Sequence, residues 1–502
     1  MSAIQEAADA QAIQPGSVSN DEEDLASLGY AQKLHRTMGP FTSFALAFSM
    51  VSIITGVVSL FSDPFARVGG VGILLWLLVI PMVSCIVLVY AHLSSRIPVT
   101  GYAYQWSSRL VGKNYGWFTG WIALISFIAG TAGTAAAIGS VFAPEIWSDP
   151  TQGQIQVLSI AATIVVCALN IFGIKIASRM NDLGAIIELV GTVILVAAII
   201  AGLLFFFGHT QGIHLLVNTT PTGGTPLSFA AFALATLLPV NVLLGWEGAA
   251  DLAEETLDPR RAAAKAMIKA VAVSSVIGLG LFALLALSIP GPIADFFKNA
   301  ENPVILIVRD RFGPYAADFM LFVTFAAIFS CLIANMAVAT RMSFALSRDK
   351  MLPGSSFLGS VNKRTGTPVG SIFFITIVAV LLNFASGGFV TAIYSMVGLT
   401  YYMTYFLTLI AAVVAYRSNR IPSAPNDVFS LGQWLVPVAA IGILWTLCVI
   451  ATFTLPEESH PAAIVTIIML AIGAAWWLLK LRKDLAGGRA GPPVAPSHNS
   501  YR

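Results

Sequence analysis

The chain has 502 residues, of which 57% are hydrophobic and 10% are charged, and its mean hydropathy is +0.81. Soluble domains carry roughly 25% charged residues, so this composition excludes a soluble globular protein and indicates a membrane protein. The 27 basic and 25 acidic residues leave a net charge of +2, which does not favour a nucleic-acid partner.

Twelve apolar runs follow one another along the chain, and most are long enough to cross a bilayer as a helix. They cover about residues 42–62, 69–93, 115–143, 155–173, 183–207, 228–252, 266–289, 316–343, 368–386, 390–416, 433–455 and 461–481. The loops between them are too short to hold a separate soluble domain. The sequence therefore predicts an all-α integral membrane protein with 12 transmembrane helices.

Polar segments flank this transmembrane domain, which we place at residues 33–484. Residues 1–32 contain an acidic run at 21–24 and lack the basic start and apolar core of a signal peptide. Residues 485–502 are rich in Gly and Pro. Both segments are predicted to be disordered cytoplasmic tails.

The basic residues are distributed unequally between the two sides of the predicted topology. If the N-terminus is cytoplasmic, 23 of the 27 Lys and Arg residues fall on the cytoplasmic side. The other side carries Arg67, Lys298, Arg309 and Arg311. This asymmetry predicts a multi-pass protein of the plasma (inner) membrane with both termini in the cytoplasm.

The first and sixth spans contain residues that weaken a helix. Span 1 carries Thr55-Gly56 among β-branched residues, and span 6 carries Pro239, Gly245 and Gly248. The two spans hold equivalent positions in two five-span halves, and such a matched pair of interruptions indicates a transporter site. The alternative is ordinary Gly and Pro, which are common in membrane helices.

Two carboxylates fall inside the predicted spans, where an ionisable group is costly and is by default a functional candidate. Glu188 in span 5 is a candidate for ion coupling, or else a structural hydrogen-bonding partner. Glu247 in span 6 is a candidate site residue, or else it binds backbone N–H groups freed by the interruption. The nearby Glu254 and Glu255 are expected at a solvated helix end beyond the membrane.

Four other polar or aromatic side chains leave alternatives open. Ser330 and Asn335 in span 8 would coordinate a cation or simply form hydrogen bonds between helices. Trp246 would cover a bound ligand or serve packing. His92 at the end of span 2 is expected to be an interfacial histidine rather than a proton relay.

The sequence contains none of the motifs of common enzymes. There is no GxxxxGK[ST] phosphate loop, no HExxH and no GxSxG. The four cysteines lie in apolar runs without CxxC spacing, and the six histidines form no cluster. We therefore expect no catalytic residues, no metal and no cofactor.

Four segments of the chain resemble one family of transporters. They are HLSSRIPVTGYAYQWSSRLVGKNYGWFTGW at 92–121, FSMVSIITGV in span 1, GWEGAADLAEETLDPRRAAAKAM in span 6 and RMSFALSRDKMLP after span 8. They are similar to amino acid permeases of the amino acid–polyamine–organocation superfamily. The branch they most resemble is that of the amino acid/choline transporters, which includes γ-aminobutyrate permeases.

This resemblance implies a leucine-transporter-type fold, with inverted repeats of five spans at about 42–207 and 228–416 and two peripheral helices at about 433–481. It also implies that unwound backbone in spans 1 and 6 holds the substrate. In this sequence, the implied residues are Ser52, Ile53, Ile54, Thr55 and Gly56, facing Leu244, Gly245, Trp246, Glu247 and Gly248. Free backbone N–H groups at the start of a helix suit the carboxylate of an amino acid substrate, and free carbonyl groups suit its amine.

Two departures from the family pattern concern the coupling ion. His92 stands where related permeases usually have Glu. Glu188 falls at the position in span 5 where some proton-coupled relatives carry a Lys, which replaces the sodium ion of sodium-coupled members. We therefore expect Glu188 and Ser330 to take part in ion coupling, with the choice between proton and sodium open.

The sequence thus predicts a secondary active transporter that moves an amino acid or related amine, such as γ-aminobutyrate, by alternating access with proton coupling. An exchanger or a sodium-coupled symporter of the same fold is the alternative. A non-transporting membrane sensor and a channel are alternatives of other classes. Expected partners are the small solute, the coupling ion and the lipid bilayer, with the chain a monomer or weak oligomer.

Overall fold

In the computed structural model, the described residues are 15–208, 210–224, 226–299, 302–385 and 390–493, and they contain helices and no β-strand. The helices are α1 (Pro15–Ser27), α2 (Pro40–Val51), α3 (Ile53–Leu60), α4 (Asp63–Val68), α5 (Leu75–Ser94), α6 (Tyr102–Leu110), α7 (Lys113–Ile146), α8 (Gln152–Ile171), α9 (Ile174–Ala201), α10 (Phe229–Ala235), α11 (Leu237–Val242), α12 (Gly248–Asp251), α13 (Pro259–Leu287), α14 (Ile293–Asn299), α15 (Pro303–Phe312), α16 (Pro314–Arg348), α17 (Ser355–Leu358), α18 (Val369–Ala385), α19 (Val390–Arg417), α20 (Leu435–Thr452), α21 (His460–Trp476) and α22 (Arg482–Ala486). The prediction of an all-α fold is confirmed for this part of the chain.

Among the described residues, 10 helical segments are long and apolar enough to cross a membrane. Two further apolar helices, Phe229–Val242 and Val369–Phe384, are shorter and coincide with the predicted spans 6 and 9. The total of 12 spans and the inverted repeats therefore remain predictions.

Several long helices begin where the sequence provides a suitable first turn. Pro40, Pro259 and Pro314 each stand in the first turn of α2, α13 and α16, where the missing N–H costs nothing. At the start of α8, Thr151 and Gln154 form a capping box.

Burial separates central helices from peripheral ones. The most apolar stretch of α7 is fully buried inside the protein, whereas the stretch that contains α21 is only 17% buried. Large apolar side chains are exposed on α8, α9, α20 and α21, as expected for helices that face lipid. α7 and α16 therefore form the centre of the domain, and α20 and α21 lie at its edge.

Parts of both predicted tails pack against the core in the structure. Pro15–Ser27 form α1, where Asp21 and Leu25 are buried. Asp21 accepts a hydrogen bond from the backbone N–H of Asp258 (2.9 Å), so acidic side chains that suggest a solvated leader have partners on the core. At the other end, Gly491 donates its backbone N–H to the carbonyl of Asp349 (2.8 Å). Residues 1–14 and 494–502 lie outside the described residues.

Candidate solute-binding site

The first predicted span is interrupted at Ser52. This residue ends α2 and precedes α3 with φ 38° and ψ 82°, a left-handed conformation that is rare for a residue other than glycine. Such a conformation costs on the order of 1–3 kcal/mol and persists only where its surroundings hold it. The interruption frees backbone N–H groups at the start of α3 and carbonyl groups at the end of α2.

The sixth predicted span is interrupted between α11 and α12. The helix ends at Val242, and helical structure resumes only at Gly248. Gly245 has φ +86°, which a glycine adopts without strain. Two spans that occupy equivalent positions in the predicted halves are therefore both broken.

The two interruptions face each other at close range. A Cβ added to Gly56 would lie 2.3 Å from Cγ2 of Val242, and one added to Gly245 would lie 2.9 Å from Cβ of Met50. Such distances leave no room for side chains, so these two glycines let the broken segments touch.

Glu188 of α9 is fully buried, and its carboxylate lies at the interruption of the first span. Its Oε1 accepts hydrogen bonds from the backbone N–H of Ile54 (3.2 Å) and from the Ser52 hydroxyl (3.3 Å). Oε2 has no hydrogen-bond partner among the described residues. Glu188 thus satisfies an N–H group that the interruption frees, and one of its oxygens is left for another partner.

A cavity of about 380 Å³ lies between the two interruptions. Ser52, Thr55 and Gly56 line it from one side, and Leu244 and Gly245 line it from the other. Side chains of α7, α16 and α19 complete the wall. The cavity is large enough for an amino acid and combines polar groups with apolar walls, as small-molecule sites usually do.

The cavity extends to Asp63 and Arg67, whose partly exposed side chains we take as its mouth. Arg67 donates from Nε to Asp63 (2.9 Å) and from both terminal nitrogens to Glu458 (2.8 and 2.9 Å). These three side chains are partly exposed, so an ion-paired cluster stands at the mouth of the cavity.

The opposite face of the protein is closed by buried ion pairs. Arg341 of α16 donates from Nε and Nη2 to the two oxygens of Glu255, each at 2.8 Å, and both side chains are fully buried. Arg348 donates to Glu254 at 2.9 Å. Arg341 lies six residues beyond the cavity-lining Asn335, which is about 9 Å along the helix axis.

The N-terminal segment adds a second layer to this closed face. The Tyr30 hydroxyl donates to Oδ2 of Asp349 (2.7 Å), and Tyr104 and Gln105 donate to the same oxygen at 2.8 and 2.9 Å. Burial raises the pKa of Tyr30 above its ordinary value, so the hydroxyl remains a donor at neutral pH. On the next layer, Arg260 binds Asp24 of α1.

Not all of the predicted site residues line the cavity. Ser52, Thr55, Gly56, Leu244 and Gly245 do, whereas Ile53, Ile54, Trp246, Glu247 and Gly248 do not. The Trp246 ring stacks on Tyr405 at 5.3 Å and donates to the carbonyl of Leu243 (3.2 Å). Glu247 accepts from the Tyr405 hydroxyl (2.8 Å). These two side chains therefore pack behind the interruption, on an aromatic cluster.

The remaining candidates have structural contacts. The Ser330 hydroxyl donates to the carbonyl of Ala327 (3.0 Å), and a Cβ on Gly184 would lie 2.4 Å from Cβ of Ser330, so Ser330 lies at the tight α9–α16 contact. His92 is buried, and its Nδ1 accepts the backbone N–H of Leu431 (3.0 Å).

The sequence did not indicate several residues of the closed face and of the cavity wall. The expectation of a solvated helix end is wrong for Glu254 and Glu255, which are fully buried. Their partners Arg348 and Arg341 lie 94 and 86 residues away in the chain, so no local pattern joins them. Asn241 and Tyr401, which also line the cavity, gave no signal beyond a polar group in an apolar run.

These features define a multi-pass membrane protein that is helical throughout its described residues and has a cavity between two broken helices. A family profile described as Amino acid permease matches residues 38–476. The chain therefore belongs to the amino acid permease family and is a membrane transporter of amino acids, and the resemblance to amino acid permeases of this superfamily is confirmed.

Individual relatives match over nearly the full length of the chain. Amino-acid permease BAT1 of Arabidopsis thaliana is 25% identical, over 92% of this chain and 95% of that protein. Amino-acid permease BAT1 homolog of Oryza sativa subsp. japonica is 25% identical, over 96% and 97%. Amino-acid permease 2 of Neurospora crassa is 23% identical, over 97% and 93%.

Proposed function

We propose that the chain is a secondary active transporter that moves an amino acid, or a related small amine such as γ-aminobutyrate, across the plasma membrane by alternating access. The observation that carries this proposal is the cavity between two interrupted helices, with its mouth beside Arg67 and with buried ion pairs across the opposite face. A site that is open to one side only is one half of an alternating-access cycle.

The proposed orientation places the mouth beside Arg67 outside the cell and the buried ion pairs of Arg341 and Arg348 on the cytoplasmic side. It rests on the asymmetric distribution of Lys and Arg. Both termini are then cytoplasmic, the two shorter apolar helices complete a set of 12 spans, and spans 1–5 and 6–10 form the inverted repeats.

The broken helices supply groups that match the two charges of an amino acid. The start of α3, with Thr55 and Gly56 in its first turn, presents N–H groups and a partial positive charge to the carboxylate. The free carbonyl groups at the end of α2 and around Leu244 suit the ammonium. Ser52 and Gly245 hold the backbone in the conformations that expose these groups.

We further propose that the proton is the coupling ion and that Glu188 carries it, with Ser330 at the adjoining α9–α16 contact. The support is the position of the carboxyl group: it is buried against the interruption of the first span, with Oε2 left without a hydrogen-bond partner among the described residues. Protonation of Glu188 would weaken the hydrogen bond that its carboxylate accepts from the Ile54 N–H. Proton binding would thereby alter the backbone conformation at the interruption of the first span.

Uptake of radiolabelled alanine into proteoliposomes tests the proposed function. We expect wild-type protein to accumulate alanine when an inward proton gradient is imposed. Gly56→Leu should abolish uptake, because its side chain would collide with Val242. The matched control is Gly280→Leu, since a Cβ on this helical glycine meets nothing within 4 Å.

Two results would contradict the proposed function or its coupling ion. Normal uptake by the Gly56→Leu protein would show that the solute does not bind between the interruptions. Accumulation driven by a sodium gradient, or only by unlabelled alanine inside the vesicles, would replace proton coupling by sodium symport or exchange.

A further inference from the structure

The inner wall of the cavity, away from its mouth, contains a polar corner formed by Gly130 of α7, Asn335 of α16 and Tyr401 of α19. A Cβ added to Gly130 would lie 2.7 Å from Oδ1 of Asn335 and 3.8 Å from the hydroxyl oxygen of Tyr401. Two side-chain oxygens thus lie close to the α7 backbone at Gly130, which has no side chain to hold them away. All three residues line the cavity.

The hydrogen bonds of Asn335 leave its carboxamide oxygen free. Nδ2 donates to the carbonyl of Cys331 (3.0 Å) and contacts its sulfur (3.3 Å), so the amide nitrogen is engaged by its own helix. Asn335 is 5% exposed. No described residue donates to its Oδ1, which is therefore a buried acceptor that points into the corner.

Tyr401 complements this acceptor. Its hydroxyl forms no hydrogen bond with the residues that the structure describes, and unlike a carbonyl it is able to donate. An acceptor beside a donor matches a primary carboxamide, whose NH₂ would donate to Asn335 Oδ1 while its oxygen accepts from the Tyr401 hydroxyl.

Charge and hydrogen bonding disfavour other kinds of substrate side chain in this corner. Among the described residues, the charged members of the cavity wall are Asp63 and Arg67, which stand at the mouth and bind each other at 2.9 Å. A substrate carboxylate would place its second oxygen against Asn335 Oδ1, and a substrate ammonium would meet no carboxylate in the corner. An apolar side chain would displace water and leave the Asn335 oxygen unpaired.

We propose that this corner selects amino acids with a carboxamide side chain, glutamine and asparagine, over isosteric amino acids that are charged or apolar. The inference rests on the proposed function, because it takes the two helix interruptions as the site of the ammonium and carboxylate. The side chain of the bound amino acid then extends towards α7, α16 and α19, where Gly130, Asn335 and Tyr401 line the cavity.

The test compares the ability of unlabelled amino acids to compete with labelled alanine in proteoliposomes. Glutamine should compete at concentrations roughly 10-fold or more below those of glutamate and norleucine, which have similar length. Asn335→Leu should bring glutamine and norleucine to within about 3-fold of each other, with both measured relative to the alanine uptake of the same variant.

The matched control is Asn170→Leu. Asn170 of α8 is also buried and its Nδ2 donates to the carbonyl one turn earlier (3.0 Å), as in Asn335, but it does not line the cavity. This variant should keep the preference for glutamine. If Asn335→Leu fails to fold, Gly130→Ala serves instead, because its Cβ would displace the Asn335 oxygen, and it should lower the preference as well.

The outcomes separate this inference from the proposed function. Alanine uptake with equal competition by glutamine, glutamate and norleucine would overturn the inference alone. So would a preference for glutamine that survives both Asn335→Leu and Gly130→Ala. No uptake of any amino acid, alanine included, would overturn the proposed function and the inference together.

Discussion

At the scale of single residues, a left-handed serine and a buried glutamate depend on each other. Ser52 adopts φ 38°, and its hydroxyl donates to Glu188 Oε1 (3.3 Å). The same oxygen accepts the N–H of Ile54 (3.2 Å). Because a buried N–H without a partner is costly, the carboxylate stabilises the interruption that opens the cavity.

Substitution of Glu188 tests the coupling role of this contact. Glu188→Gln keeps an oxygen that accepts the Ile54 N–H but removes the group that binds a proton. We expect exchange of labelled for unlabelled alanine to persist, while accumulation driven by a proton gradient falls to the level of protein-free vesicles. Unchanged gradient-driven accumulation by this variant would remove Glu188 from the coupling mechanism.

At the scale of elements, the closed face depends on contacts between α16 and the segment that follows α12. Arg341 and Glu255 are both fully buried and joined by two hydrogen bonds of 2.8 Å. Removing one member of such a pair leaves the other charge buried and unpaired, at a cost of about 3–5 kcal/mol. To expose the cavity on this side, the transporter would have to separate these elements.

Arg341→Met should therefore lower the thermal stability of the purified protein markedly. The double variant Arg341→Met/Glu255→Leu should recover most of the loss, because it removes both charges. We compare the unfolding temperatures of the wild type, Arg341→Met, Glu255→Leu and the double variant. We expect the loss in the double variant to be smaller than the sum of the two single losses. Additive losses would show that the two side chains do not stabilise each other.

At the scale of the whole molecule, the apolar runs predicted the helices well because a membrane helix is specified by about 20 consecutive apolar residues. Gly and Pro indicated which spans are interrupted. They did not place the first interruption at Ser52, three residues before Thr55, because a left-handed serine has no local signature. Nor did they predict that Trp246 packs on Tyr405 behind the cavity, since that contact joins distant segments.

The orientation of the whole molecule is tested by labelling single cysteines in a background that lacks the native ones. Thr219→Cys and Lys363→Cys both place the thiol at an exposed position. An impermeant reagent added to intact cells should label the first and not the second, as the distribution of basic residues predicts. The reverse pattern would invert the proposed topology.

Binding of an amino acid in the cavity between the two interruptions can be followed through a native cysteine. Cys331 lines this cavity, whereas Cys448 is exposed on α20 and does not line it. The decisive measurement is the rate at which a small uncharged thiol reagent modifies each cysteine, followed by mass spectrometry, with and without a saturating transported amino acid. We expect the amino acid to slow modification of Cys331 and to leave the rate at Cys448 unchanged. A transported amino acid that leaves both rates unchanged would contradict binding in this cavity.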